Sequence, residues 1–555
     1  MKEMSRILIA LIILLVLIVA VPKLLNTNST KESNLNAMSN EINDSLYNYS
    51  TEALITLADG ATTSTSGNVK IDGDVIIIEA AGAYRITGSL TDGRIIVNAK
   101  GKDIKLILDN CSITCSYGSP IYVYKSESTM IYLENGTVST LTDGKTYTFA
   151  DEYSSEADED PNACLYSKSD LIICGSGTLN VNANYHNGIT SKDTLIIEDA
   201  TINVVAKDHG INGKDNHTIK NATINVVAGE DGIRSTNEDD ESLYGWITIE
   251  NSDITLEVGD DGIHAESLVT IESGNINIVK SHEGIEGKNI TINGGEIIVN
   301  ADDDGINVNG GENNSGMFRM PGTEVAESGY KLIINGGTIT VNAAGDGLDS
   351  NASIEMNGGY VLVNGPTNSA NGAIDYDGTF VQTGGTLIAV GASGMAEGPS
   401  TVENQGLIFT NISNQSANTK VTIKDAEGNT IVEFTAAKTF SNVVVSTPEI
   451  TNGNEYQIYC NDTLVTNVTA TNQSSGMGGF GGGQGGFGGY GGQGGFGGFN
   501  IEDGTNNGER PELPDGMEFP SDGERPEMPE GMTFPENGER PEGMEFPGNG
   551  RRKMQ

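Results

Sequence analysis

The chain has 555 residues, more than the roughly 100–200 of one compact core, so several regions are expected. Its 76 Asp plus Glu against 31 Lys plus Arg give a formal net charge of −45, which excludes nucleic acid as a partner because phosphate binding needs a basic face. Residues 501–555 hold only 14 acids and 6 bases, so most of the negative charge lies in the body of the chain, where cations are the natural counterpart.

Residues 1–25 carry Lys2 and Arg6, an apolar run from Ile7 to Val21, then Pro22 and Lys23. This is an export signal, and its length falls between a signal-peptide core and a membrane span. A small-x-small cleavage site and a lipid-accepting Cys are both missing, which favours an uncleaved anchor over a cleaved signal and predicts an extracellular protein attached to the membrane or cell surface. Residues 26–49, rich in Ser and Asn, form a linker.

A repeat fills residues 50–398. Its phrase is one or two acidic or polar residues, a Gly and an aliphatic residue, as in Asp208-His209-Gly210-Ile211, Asp260-Asp261-Gly262-Ile263 and Asp303-Asp304-Gly305-Ile306. The seven glycines from Gly188 to Gly347 are spaced 22, 22, 30, 22, 21 and 42 residues apart, a period of about 22 with two insertions, Asn237 to Tyr244 and Gly310 to Tyr330. Both insertions follow the Gly-Ile turn and elaborate one side. Between the glycines the apolar period is two, as in Thr201-Ile202-Asn203-Val204-Val205, which marks strands. A unit this short cannot bury its apolar side alone and must stack on its neighbours. The predicted fold is all-β, a right-handed parallel β-helix with about 22 residues per coil.

Stacking turns repeat positions into columns. The residue before the Gly reads Asn187, His209, Asp231, Asp261, Glu283, Asp304, Asp346, and two residues after it the chain reads Thr190, Asn212, Arg234, His264, Glu286, Asn307, Asp349. Carboxylates about 4.8 Å apart repel by on the order of 1 kcal/mol in water and more when partly buried. Asp-Gly turn chemistry accounts for single acids but not for a run of them across four coils. Ca2+, which takes oxygen ligands in flexible geometry, is the expected cofactor. Its candidate ligands are Asp208, Asp231, Asp260, Asp261, Glu283, Glu286, Asp303, Asp304, Asp346 and Asp349. Zinc is disfavoured, since the His and Cys lack paired ligand spacing. Four residues after the Gly a second column carries Lys192, Lys214 and Lys288, with Lys168 matching from the preceding coil. These lysines either neutralise the acids, grip the carboxylates of a bound uronate, or act as the base of a lyase.

The five cysteines cannot all pair, and buried thiols with one bridge at most are expected. Residues 399–472 form a small antiparallel β module capping the solenoid, with a hairpin at Ala426-Glu427-Gly428-Asn429. Residues 473–500 are a Gly-rich linker, and 501–555 an acidic Pro-rich disordered tail in which Gly-Glu-Arg-Pro-Glu begins at Gly508, Gly523 and Gly538.

Leu141-Thr142-Asp143-Gly144, the segment Pro161 to Lys168 and the Asp-Gly-Ile coils resemble the clostridial cell-surface family of carbohydrate-binding β-helix proteins over residues 50–470. That family looks like pectate-lyase-type solenoids. The resemblance implies binding of cellulose or acidic sugars with calcium, without established lyase activity, and adds Asp143 to the candidate calcium ligands. Trp246 is the only Trp, too few rings for a flat cellulose platform, so a charged polymer such as polygalacturonate fits better. The expected protein is therefore a monomeric polysaccharide binder, with a calcium-dependent lyase and a purely structural or adhesive surface protein as alternatives.

Overall fold

The computed structural model describes residues 47–149, 153, 161–310 and 329–474. The expected export segment, nearly all of the linker, and the Gly-rich and Pro-rich regions lie outside the described residues. Among the described residues the extended elements are all strands and no α-helix occurs, so the all-β expectation holds.

The repeats stack in register. Thr201–Ala206 pairs in parallel with Thr178–Ala183 on one side and with Thr223–Ala228 on the other, residue for residue. Leu195–Glu198 is likewise flanked by Asp170–Cys174 and Asn216–Lys220, and Ile211–Gly213 by Asn187–Ser191 and Ile233–Ser235. Each coil thus gives one strand to each of three parallel ladders, and partners such as Asn203 and Asn225 are 22 residues apart, the period of the sequence. The first parallel pair is Glu52–Leu57 with Gly82–Leu90, and the last is Phe380–Gln382 with Thr401–Val402.

Alternation decides what points inward. Ile202, Ile224, Ile254, Ile276 and Ile297 form one column no more than 1% exposed, each worth about 1.5–3 kcal/mol of apolar burial. On the outer side of the same strands amides stack instead. Asn225 Nδ2 donates to Asn203 Oδ1 and Asn203 Nδ2 to Asn180 Oδ1, each at 2.9 Å. An amide suits a column because it carries both donor and acceptor.

Glycine in the repeated phrase is a spacing requirement. A Cβ at Gly210 would sit 2.4 Å from Val226 Cγ1 and 2.5 Å from the Gly232 carbonyl oxygen of the next coil. The corner before the third strand of each coil needs a left-handed residue, met by Asp199, Asn221 and Asn251 at φ 56°, 50° and 46°, and farther along by Gly274 and Gly295.

Beyond the coils, Phe440–Thr447 pairs antiparallel with Thr386–Gly391 and with Gly406–Gln415. The edge of the final long ladder strand is therefore paired rather than exposed. Thr419–Lys424, Thr430–Ala436, Glu455–Cys460 and Thr463–Thr469 build a separate four-stranded antiparallel sheet. Its first hairpin turns where Asp425 Oδ1 accepts from the Asn429 amide at 2.7 Å. All five cysteines are buried and free, so the single bridge allowed for above is not formed.

One inward position breaks the apolar rule. His217 stands in register with Leu195 and Ile247, is 1% exposed, and neither ring nitrogen has a hydrogen-bond partner. Burial pushes its pKa down to about 3, keeping the ring neutral. An unmet buried polar group costs about 1–3 kcal/mol. His217→Leu is therefore expected to raise the thermal midpoint of the full chain; a lowered midpoint would show that the imidazole has a role its surroundings do not reveal.

Candidate functional site

The Gly-Ile ladder carries the acid columns. Thr190, Asn212, Arg234, His264, Glu286, Asn307 and Asp349 are successive partners in register, with outward side chains. The residues before the glycines stack beside them through amide-to-carbonyl bonds, such as Gly210 N–H to Asp231 O at 2.8 Å and Gly305 N–H to Asp346 O at 2.8 Å. Several carboxylates also close the turn of the next coil: Asp231 Oδ1 accepts from the Asp261 amide at 3.2 Å, and Asp304 Oδ1 from the Asp346 amide at 2.6 Å. These bonds reach the main chain of the next coil rather than the residue's own turn, so local Asp-Gly turn chemistry does not describe them.

Charge compensation changes along the column. At the near end basic side chains are built in. His186 pairs with Asp208, and His209 bridges Glu230 at 2.7 Å and Asp231 at 3.1 Å. Arg234 Nη1 lies 3.3 Å from Asp231 Oδ2. Burial disfavours the Asp231 charge, but His209, Arg234 and His264 outweigh it and pull the pKa down to about 2. In the middle, His264 Nδ1 meets Asp261 Oδ2 at 2.9 Å and Glu286 Oε2 at 2.5 Å. Burial opposes an imidazolium there, yet the surrounding carboxylates push the pKa up to about 12. His264 is the resident cation of that coil.

Farther along, that compensation ends. Burial first, and neighbouring acids second, push Glu283 up to about 8, Asp346 to about 7 and Asp349 to about 8. Asp304 rises to about 6 for the same reasons, with His282 the opposing charge. Asp346, Asp349 and Asp375 offer carboxylate oxygens within 4.8 Å of one another. Asn307, in register between Glu286 and Asp349, is 8% exposed. Its Nδ2 donates to Glu283 Oε2 at 2.8 Å, while its Oδ1 is buried without a donor. An all-oxygen group with an unsatisfied amide oxygen beside it fits Ca2+, which takes six to eight oxygens at about 2.3–2.6 Å. Asp231, Asp260 and Asp261 form another close group, and Asp303 lies at the rim, 3.6 Å from His282 Nε2.

Asp143 is not brought to these columns. It ends the strand Val138–Asp143 of another ladder, in register with Cys115, and is 3% exposed. Its carboxylate accepts from Tyr147 Oη at 2.7 Å, from the Tyr185 amide at 3.3 Å and from the Asn184 amide. Lys168, Lys192 and Lys214 do stack, the Lys192 amide donating to Ser167 O and the Lys214 amide to Ser191 O. Lys168 Nζ lies 5.6 Å from the centre of the Tyr124 ring. Lys288 is committed elsewhere: its Nζ meets Glu241 Oε1 of the first insertion at 2.6 Å, and Tyr330 Oη donates to Glu241 Oε2 at 3.0 Å. Glu241 of the first insertion and Tyr330 at the close of the second thus meet, while residues 311–328 lie outside the described residues.

Sequence reading missed Asp375, and it missed His209 and His264 as counter-charges. Asp375 was hidden because Gly372-Ala373-Ile374 adds a residue to the Gly-aliphatic phrase, although Ile374 bridges Leu348 in parallel. It also missed Asp193, pushed up to about 6 by burial and by Asp170 and Asp215, beside the lysine column.

Parts of the chain are similar to known proteins. A family model described as carbohydrate-binding domain-containing protein matches residues 72–323. A carbohydrate-binding domain-containing protein of Acetivibrio thermocellus is 40% identical over 131 residues, 23% of this chain and 44% of that relative, so the match spans less than half of its length. A solved structure, the polysaccharide lyase-like protein from C. thermocellum as a gadolinium derivative, is 29% identical over 44% of this chain and 93% of that one, with a TM-score of 0.39. The carbohydrate-binding part of the resemblance read from the sequence thus agrees with the family that residues 72–323 match.

The far acids bind protons more tightly folded than unfolded, since their folded pKa values near 7–8 exceed ordinary carboxylate values. Their contribution is full below about pH 4 and is lost as pH rises through about 8. In chelator, the thermal midpoint should fall across that window, and a midpoint flat from pH 5 to 8 would contradict it.

Proposed function

We propose that the protein is an extracellular, calcium-binding carbohydrate-binding protein built on a right-handed parallel β-helix. Its polysaccharide is acidic, polygalacturonate being the model, with cellulose a weaker candidate. Residues 1–25 would hold the monomer at the membrane or cell surface. The observation that carries this reading is the far half of the acid column, where Glu283, Asp304, Asp346 and Asp349 are buried near one another's charge and Asn307, in register with Asp349, keeps an unsatisfied amide oxygen. Ca2+ there would cancel the repulsion and keep open positions for ligand oxygens, so that a uronate chain lying along the coils completes the shell. The family match of residues 72–323 supports saccharide as the ligand.

Lyase chemistry asks for a base that gives up its proton near neutrality. Burial favours this at Lys288, but Glu241 outweighs it and holds the pKa above the usual lysine value, which fits a fastening role.

The test is retention of the full chain on polygalacturonate and on cellulose, with Ca2+ and with chelator, while product absorbance is followed. Calcium-dependent retention on polygalacturonate without unsaturated product is expected. Product would make the protein a lyase, and no retention on either polymer would sink the carbohydrate reading. The paired change Asp346→Asn and Asp349→Asn should weaken calcium binding, read by calorimetry, by roughly tenfold or more, since affinity follows ligand charge.

A further inference from the structure

The near end of the column holds a cleft of about 380 Å³ on the face that carries the acids, within the roughly 300–1,000 Å³ usual for small-molecule sites. Its chemistry differs from that of the calcium end. Tyr185 is stacked on Tyr147 with centroids 4.2 Å apart and planes 19° apart, so the ring that lines the cleft is already fixed. Asn162 contributes an Oδ1 that is buried and has no donor. Arg234 closes the other side. Its Nη1 is held by Asp231 Oδ2 at 3.3 Å, and Asp231 is held in turn by His209 at 3.1 Å. Its Nε is buried and meets no acceptor.

A guanidinium positioned by one carboxylate, with a buried N–H left over, is prepared for a second anion, and carboxylates dock on such an edge through two parallel bonds. A fixed aromatic face beside amide and carboxylate groups is suited to a sugar ring, whose C–H face packs on the aromatic while its hydroxyls reach the polar groups. The two recognitions meet in one ligand, a sugar that bears a carboxylate. We propose that this cleft is a uronate subsite in which Arg234 takes the place that Ca2+ holds elsewhere along the column. It rests on the carbohydrate reading above but adds a specific pocket and a specific consequence: one sugar residue is bound through a side chain, so its binding survives chelation. Retention of the long polymer still depends on calcium, because the remaining contacts along the acid column need it.

Calorimetry of the full chain with trigalacturonate and with its fully methyl-esterified form, in Ca2+ and in chelator, tests this. Wild type should bind the acid trimer under both conditions and prefer it to the ester. Arg234→Gln should weaken the acid trimer at least tenfold in chelator and leave the ester unchanged, a selectivity that a merely structural change would not produce. Arg234→Lys keeps the charge beside Asp231 without the fork, and should lose severalfold; it carries the test if Arg234→Gln unfolds. Equal affinity of wild type and both variants for the acid trimer overturns the proposal, as does equal affinity of wild type for trimer and ester. Wild type that is retained on the polymer but binds no trimer in chelator overturns the subsite while leaving the carbohydrate reading standing. Retention of neither polymer nor trimer overturns both.

Discussion

In-register stacking of one coil on the next, at the strand spacing of about 4.8 Å, is the constraint from which the rest follows. A residue placed at a repeat position is placed beside its own kind. Isoleucine gains from this, because Ile202 and Ile224 pack in one closed column. Asparagine gains as well, because each amide donates to one neighbour and accepts from the other, as along Asn180, Asn203 and Asn225. Ionised carboxylates only accept, and they repel, so a column of acids, like any column of one charge, is a kind this architecture resists.

The column shows three answers to that resistance on one backbone. Asp231 and Asp346 occupy the same place in their coils, before the motif glycine, yet one is pulled down to about 2 and the other pushed up to about 7. Burial acts in the same direction on both. The difference is the company: His209 and Arg234 at the first, Asp304 and Asp375 at the second. Between them His264 acts as an internal cation. Local turn geometry is therefore not what distinguishes these sites, and the identity of the outward residues in the same and adjacent coils is.

The sequence made the repeat legible because its glycines are demanded by contact: Gly210 faces the Gly232 carbonyl too closely for any Cβ, so the phrase recurs wherever coils touch there. Once the period is known, the columns follow by counting, and the register agrees with them from Thr190 to Asp349. Counting has a limit, which is what a side chain chooses among several neighbours. Lys288 shares its column with Lys192 and Lys214, but it pairs with Glu241, which an insertion delivers from outside the period. Asp143 carries the look of a ligand, but its lone pairs are taken by Tyr147 and by backbone amides. Aperiodic partners of this kind leave no trace in spacing.

The insertions bear on ligand choice through the same aperiodic contacts. Glu241 receives Lys288 on one carboxylate oxygen and Tyr330 on the other, while its main-chain carbonyl accepts from Trp246 Nε1 at 2.8 Å. The indole is thereby used to fasten the loop, and Tyr330, at the close of the second insertion, is used the same way. Rings engaged as fasteners are not arrayed as a platform, whereas charged and amide groups recur at every coil along the Gly-Ile ladder. A flat, uncharged crystalline surface would have to be bound by scattered aromatic contacts. On the reading proposed above, a flexible polyanion would follow the column coil by coil, meeting Arg234 at one end and the proposed calcium sites at the other, and this favours the charged polymer over the flat surface.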